Sequence, residues 1–269
     1  MTSMIRNLSS DIITLPANEV QYTARFSVYL ARTAAEVRES QQLRYQIFAG
    51  EMGAQILGHE AEIDVDHYDG YCDHLLVREL ATGQLVASTR LLGDRQALRA
   101  GGFYSASEFD ISMLDQLQGR KLEIGRTCVA AAFRSGTVIA QLWGGLARFV
   151  QSEGYDYLFG CASMDMTDDG ALAQALYNEA QRKYSVADGL TVQPRNPLPF
   201  VAPYISNERL RLPPLLKAYF SLGAKVCGAP CWDQTFNCAD VFLLLRVSDM
   251  QSRYARHFKI EQTASVTMC

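Results

Sequence analysis

The stretch Leu122-Glu123-Ile124-Gly125-Arg126-Thr127-Cys128-Val129 decides how this chain is read. Its residues alternate in character, as on a strand with one face against a core. A Glu and an Arg inside such a strand are costly to bury without partners or a purpose. The strand runs into Ala130-Ala131-Ala132-Phe133 and then Arg134-Ser135-Gly136-Thr137, after which a helical pattern opens at Val138 and carries Leu142 and Leu146. A small-residue turn at a helix N-terminus presents unpaired N–H groups at the positive end of the dipole, which suits a phosphate. Arg134 adds a charged donor there. An ordinary tight turn uses the same residues, so the surroundings decide.

Working outward, residues 26–31 read as a strand. Thr33 caps a helical run over 34–50, with Glu36 in its first turn and Val37, Leu43, Ile47 and Phe48 on one face. Residues 74–79 and 85–92 form a hairpin about the turn at Thr82-Gly83. A Gly-rich aromatic loop at 101–109 precedes the strand at 121–129. A helix at 138–152, a strand at 155–162 and a helix at 171–184 follow. Residues 188–214 hold six of the eight prolines and are not regular helix, so about 186–214 reads as an insertion or lid. A helix at 215–222 and strands near 224–226 and at 241–247 complete the pattern. This order predicts an α/β (α+β) fold, with a mixed, mostly antiparallel central sheet flanked by helices. It also predicts an N-terminal arm at 1–22, a single domain over 23–260 and a tail at 261–269.

A chain of 269 residues can bury a sizeable core. Its net charge of −4 gives no reason to expect nucleic acid, which needs a basic surface. The seven cysteines show no repeated metal-ligand spacing, and no histidine lies beside Cys227 and Cys231, so reduced thiols and no metal are expected. No apolar run of spanning length and no signal-peptide pattern is present, which predicts a cytoplasmic protein.

An ordered series of short motifs adds to this. It includes Leu43-Arg44-Tyr45-x-x-Phe48, Glu51-Met52-Gly53, Asp64-x-Asp66-x-x-Asp69, Asp73-His74-Leu75-Leu76-Val77, Arg90-Leu91-Leu92 and Glu108-Phe109-Asp110. After the LEIGRTCV strand come Leu142-Trp143, Leu158-Phe159-Gly160-Cys161-Ala162-Ser163, Leu222-Gly223-Ala224 and Phe236-Asn237-x-Ala239-Asp240. The series spans roughly 25–258 and resembles the hemolysin-like, ornithine lipid-forming N-acyltransferases of the GNAT superfamily. These are similar to the autoinducer (acyl-homoserine lactone) synthases. The resemblance implies a GNAT acyl-CoA N-acyltransferase-like fold and transfer of a 3-hydroxyacyl group from acyl carrier protein to the α-amine of ornithine. It implies no bound cofactor, since the 4′-phosphopantetheine thioester arrives as donor substrate. The turn departs from the commonest GNAT pattern: Ile139 or Ala140 stands where a second Gly is usual. That leaves room for the single phosphate of a carrier-protein arm.

On this reading Glu123 is the candidate base for the amine, or a carboxylate held by Arg126 or Arg90. Backbone N–H groups near Cys128 or Val129 are the candidate donors to the thioester oxyanion. Arg44, Arg90 and Arg126 are candidates for the acceptor carboxylate, and Asp66, Asp69 and Asp73 for its ammonium, unless these acids pair with the arginines. Arg134, Ser135, Gly136 and Thr137 would cradle the phosphopantetheine. Phe48, Phe103 and Trp143 are candidates for the acyl-chain wall, or ordinary core.

Two further surfaces are read the same way. Met250, Tyr254 and Phe258 recur every fourth residue beside Arg253, Arg256 and Lys259. Residues 249–260 are therefore either an amphipathic helix in peripheral contact with lipid or a helix docked on its own domain. Arg195, Arg209, Arg211 and Lys217 are candidates for receiving the acidic carrier protein. Rival functions are an acyl-homoserine lactone synthase, a non-catalytic carrier-protein-binding module and a membrane-acting protein. A cysteine mechanism through Cys128 or Cys161 would need a histidine base, and His74 is the candidate.

Overall fold

The computed structural model describes residues 21–23, 25–55, 62–134, 136–166, 168–186, 189–199, 203–205 and 210–250. The chain opens with β1 (Gln21–Tyr22), β2 (Phe26–Leu30) and α1 (Ala34–Tyr45), then β3 (Asp73–Glu79), β4 (Leu85–Gly93) and α2 (Asp94–Ala100). The middle holds β5 (Phe109–Asp110), β6 (Lys121–Val129), α3 (Gly136–Glu153), β7 (Tyr157–Asp165), α4 (Ala171–Tyr184) and β8 (Gln193–Pro194). The last elements are α5 (Pro214–Leu222), β9 (Lys225–Val226), β10 (Cys231–Asp233) and β11 (Cys238–Arg246).

Among the described residues nine strands form one sheet in the order β1-β2-β3-β4-β6-β7-β11-β10, with β9 also on β11. Every pair in this sheet is antiparallel except β6 with β7. That exception follows from chain order, because two strands joined by a crossover helix, here α3, run the same way. Mixed pairing and flanking helices agree with the α+β expectation.

The first two helices have local determinants at their ends. Thr33 and Glu36 close a reciprocal capping box at the start of α1. Gly101, at φ +87°, ends α2 in the left-handed conformation that glycine adopts at little cost. The helical run expected over 34–50 changes character after Tyr45 and continues as a wider π-helical turn, Gln46–Glu51. The sequence reading left out α2, a helix of only seven residues.

β4 is buried at all nine positions because helices and loops cover both its faces, so it does not alternate. α3 lays Val138, Leu142, Leu146, Phe149 and Val150 against the sheet. It crosses close to β2 and β3 at Gly145, where a Cβ would stand 2.6 Å from Val28 Cγ1.

One feature of the sheet prepares the site. β6 and β7 pair only through Lys121↔Tyr157, Leu122↔Leu158 and Glu123↔Phe159. Beyond that point β7 keeps its partner β11 as far as Asp165, while β6 continues alone on that edge. The sheet forks. At the crotch a Cβ on Gly160 would lie 2.1 Å from the Ile124 carbonyl oxygen. Gly160→Ala must therefore push the two strands apart, and overpacking of this kind costs about 1–3 kcal/mol. A lowered urea midpoint with unchanged m value is the expected result.

The proline-rich stretch is stitched to the rest where it is described. β8 pairs with β5, Arg195 N donates to the Glu108 carbonyl at 2.7 Å, and Pro197 bridges to Cys231. Residues 251–260, the larger part of the expected amphipathic helix, lie outside the described residues, as do 1–20 and 261–269. No described helix is long and apolar enough to cross a membrane.

Candidate active site

The fork is accompanied by a bulge on the other edge of β6. Arg90 registers with Gly125 and Ser88 with Cys128, so Arg126 and Thr127 together face only Thr89. Arg126 takes φ +50°, a conformation that costs an L-residue roughly 1–2 kcal/mol. The local twist places its guanidinium 5.0 Å from the Tyr104 ring centre and 4.7 Å from that of Phe236. Both are cation–π contacts. Between bulge and fork, β6 turns backbone and side chains towards a cavity of about 360 Å³.

Glu123 sits at the last paired position of the fork. It is buried, yet it lines the cavity. Its Oε2 accepts from the Tyr104 N–H at 2.7 Å, and its Oε1 accepts from Ser105 N at 2.6 Å and Ser105 Oγ at 2.5 Å. A carboxylate has about four acceptor sites, so one on Oε2 is left for a ligand or a water. Burial pushes the carboxyl above its ordinary range, although these hydrogen bonds and Arg90 pull it back. Its hydrogen bonds come from Tyr104 and Ser105, and from neither arginine.

The arginines are engaged elsewhere. Arg44, 1% exposed, donates through Nε to Asp64 at 2.8 Å and through both terminal nitrogens to Asp69 at 2.9 Å. Arg90 reaches Asp66 at 2.6 Å and Asp69 at 3.2 Å. Arg126 lies 3.4 Å from Asp64 and 3.6 Å from Asp66. Three arginines and three aspartates thus form one network that ties the segment 64–69 to α1, β4 and β6. Of the residues assigned above to the acceptor, Arg90 and Arg126 line the cavity, while Arg44, Asp66 and Asp69 stand behind its wall. Asp73 opens β3 away from the cavity, where burial and the Glu153 charge raise its carboxyl.

The other expected residues divide in the same way. Phe48 lines the cavity and packs edge-on against Phe236 at 5.8 Å. Phe103 packs on Phe159 at 4.8 Å, in a secondary core cluster. Trp143 meets Tyr219 at 4.9 Å and lines a small apolar hollow beneath the fork with Ile124, Gly160 and Leu222. Arg134 lines the cavity, donates to the Val129 carbonyl and pairs with Glu51. Gly136 and Thr137 are exposed in the first turn of α3. Ser135 and Arg209 lie outside the described residues.

Neither candidate nucleophilic thiol is activated. Burial pushes Cys128 up to about 11 and Cys161 well above its ordinary value. The His74 ring contacts Ser40 Oγ and the Asp69 carbonyl instead.

Sequence reasoning gave no role to Glu108, Asp233 or Asp240, which all line the cavity. Asp233, Cys238 and Asp240 are also the one group of described residues whose ligand atoms, within 4.8 Å of one another, could hold a metal ion. Glu108 and Asp240 stood inside quoted motifs, but nothing in the sequence signals that residues so far apart meet.

A forked sheet with a bulged strand, a buried carboxylate at the crotch and a helix N-terminus beside it define a GNAT-type N-acyltransferase. A family model for the acetyltransferase (GNAT) domain matches residues 43–144. The L-ornithine N(alpha)-acyltransferase of Rhizobium meliloti (strain 1021) is 34% identical over 91% of this chain and 88% of its own length. That of Brucella abortus (strain 2308) is 33% identical over 87% and 89%. The chain belongs to the L-ornithine N(alpha)-acyltransferase family. Among solved structures, FeeM, an N-acyl amino acid synthase from uncultured soil microbes, superposes with a TM-score of 0.53 at 12% identity, over 88% of this chain and 99% of that one. The AHL synthase LasI does so with 0.51 at 13%, over 86% and 95%. These two likenesses concern the fold.

Proposed function

We propose that this N-acyltransferase moves a 3-hydroxyacyl group from acyl carrier protein to the α-amine of ornithine, giving a lyso-ornithine lipid. The observation that carries the reading is the pairing of the family match with Glu123 at the crotch of the fork. An α-amine is mostly ammonium at neutral pH and must lose a proton to attack. The free acceptor site on Glu123 takes that proton, directly or through one water. The nitrogen then adds to the thioester carbonyl, and the tetrahedral intermediate collapses to the amide with the thiol as leaving group. The edge of β6 beyond Glu123, freed from β7, offers backbone donors to the oxyanion. Arg126 is the candidate for the acceptor carboxylate.

Arg134, Ser135, Gly136 and Thr137 form the proposed cradle for the phosphate of the donor's pantetheine. Phe48 and the hollow beside Trp143 are the proposed start of the acyl path, and Phe103 lies further off. A cytoplasmic location, peripheral membrane contact through 249–260 and carrier-protein docking near Arg195, Arg211 and Lys217 belong to the same reading.

The test is direct. The protein is incubated with a 3-hydroxyacyl carrier protein or the matching acyl-CoA and a panel of amino acids, and products are identified by mass spectrometry. N-acyl ornithine formed preferentially from the carrier-protein donor is the expected product. Equal use of acyl-CoA removes the donor assignment, and no N-acyl amino acid from any pair removes the function.

A further inference from the structure

The cleft carries a second group of acids that proton transfer at Glu123 does not use. Glu108, Asp233 and Asp240 reach it from the turn after Tyr104–Ser107, from β10 and from β11. Asp240 is buried and accepts from Ser163 Oγ at 2.7 Å and from the Cys238 thiol at 3.6 Å. Glu108 is 8% exposed. The Tyr104 hydroxyl and the Cys161 thiol reach its carboxyl, yet its Oε2 has no hydrogen-bond partner. A buried carboxylate oxygen left open onto a cavity is costly unless a ligand completes it.

A cation placed there would complete that oxygen and offset the crowding of acids. Burial and the neighbouring Asp240 push Glu108 up to about 8, and burial, with the Asp233 charge, pushes Asp240 to about 6. Such repulsion is relieved by a positive charge. Arg90 and Arg134 are already matched by Asp66, Asp69 and Glu51, while Arg126 faces Asp64 and Asp66 with its Nε unbonded. Arg126 acts on Asp240 only at longer range. Geometry links the two acidic groups: Ser105 Oγ bonds Glu123 and lies 3.5 Å from Cys161 Sγ, which in turn reaches Glu108.

We infer that Glu108 and Asp240, with Asp233 at the rim, are the subsite for the side-chain ammonium of a dibasic amino-acid acceptor. The inference rests on the function proposed above and adds to it the residues that choose the acceptor. An acceptor whose α-amine sits at Glu123 then meets Glu108 with the end of its side chain. A protonated Cys238 thiol, held so by burial and Asp240, suits an ammonium neighbour better than a metal–thiolate bond.

The experiment compares kcat/KM for ornithine and for norvaline, which has the same carbon chain and no terminal amine. One saturating 3-hydroxyacyl carrier protein serves as donor for the wild type, Glu108→Gln and Asp240→Asn. The expected wild-type preference for ornithine is on the order of 10⁴-fold, as for a site built to hydrogen-bond a substrate group that the analogue lacks. Each variant should cut that preference to within about 10-fold while the KM for the donor stays put. Glu108→Gln keeps the side-chain shape and an oxygen that can accept from the Tyr104 hydroxyl and the Cys161 thiol, so its melting temperature should hold. A preference that survives in both variants overturns the inference, as does a wild type that uses the two acceptors equally. A stoichiometric divalent ion found by elemental analysis in the wild type and lost in Asp240→Asn also overturns it. Failure to acylate any amino acid strikes the proposed function itself, and the subsite with it.

Discussion

Glu123→Gln should lower kcat for acyl transfer by about 10²–10⁴-fold, the range expected when a positioned proton acceptor is lost. The amide oxygen can still accept from Ser105, while the amide NH2 turns towards the Tyr104 N–H and the cavity; the thioester itself is not held by this group, so its KM should change little. The wild-type kcat/KM should fall on acidification, and its acid limb should lie above the ordinary carboxylate range, because burial raises this carboxyl. The variant should lack that limb. The sign for stability is opposite to that of a paired acid. A carboxyl harder to ionise in the fold than in the unfolded chain contributes stability that is complete below the unfolded value and lost as pH rises through the folded one. Replacing it by Gln removes that loss but leaves the Tyr104 N–H without its acceptor, so the variant should stay within about 1–2 kcal/mol of the wild type at neutral pH. Full turnover by the variant would remove Glu123 from the chemistry.

Arg44→Met should cost about 3–5 kcal/mol of folding stability, because removing one partner of a buried ion pair leaves the others uncompensated. Asp69 shows what is at stake. Although burial opposes its charge, the Arg44 and Arg90 guanidiniums hold it well below the usual carboxylate range. Its contribution is present above the unfolded carboxylate value and lost as pH falls through the folded one. Without Arg44 the acid side of the stability curve should move upward in pH. Urea denaturation at pH 7 and pH 4 measures both effects. If Arg44 instead binds the acceptor carboxylate, stability should be near wild type and the acceptor KM should rise. The two roles separate cleanly in this assay.

These two residues also show where the sequence was legible. LEIGRTCV was readable as a strand because its pattern is local, and β6 closes at Val129 as read; α4 has the bounds read for it, 171–184. The bulge and the fork were not readable, since each is a relation between strands distant in the chain. Arg44 could be read as a ligand group or as a partner of the nearby acids, and the sequence could not decide because Asp64 and Asp69 lie in a different segment. Glu108 and Asp240 went without a role for the same reason. Burial of a charge is legible only once its counter-charge has been located.

The fork has a consequence for how this family can vary. Its gap is opened by which backbone residues pair and which do not, and only Gly160 is required at the crotch by close approach. Side chains along the two prongs can be exchanged without closing the gap. The shape of the cleft floor is therefore set by backbone pairing, and its lining by side chains that the pairing does not fix. FeeM and LasI share this fold at 12% and 13% identity.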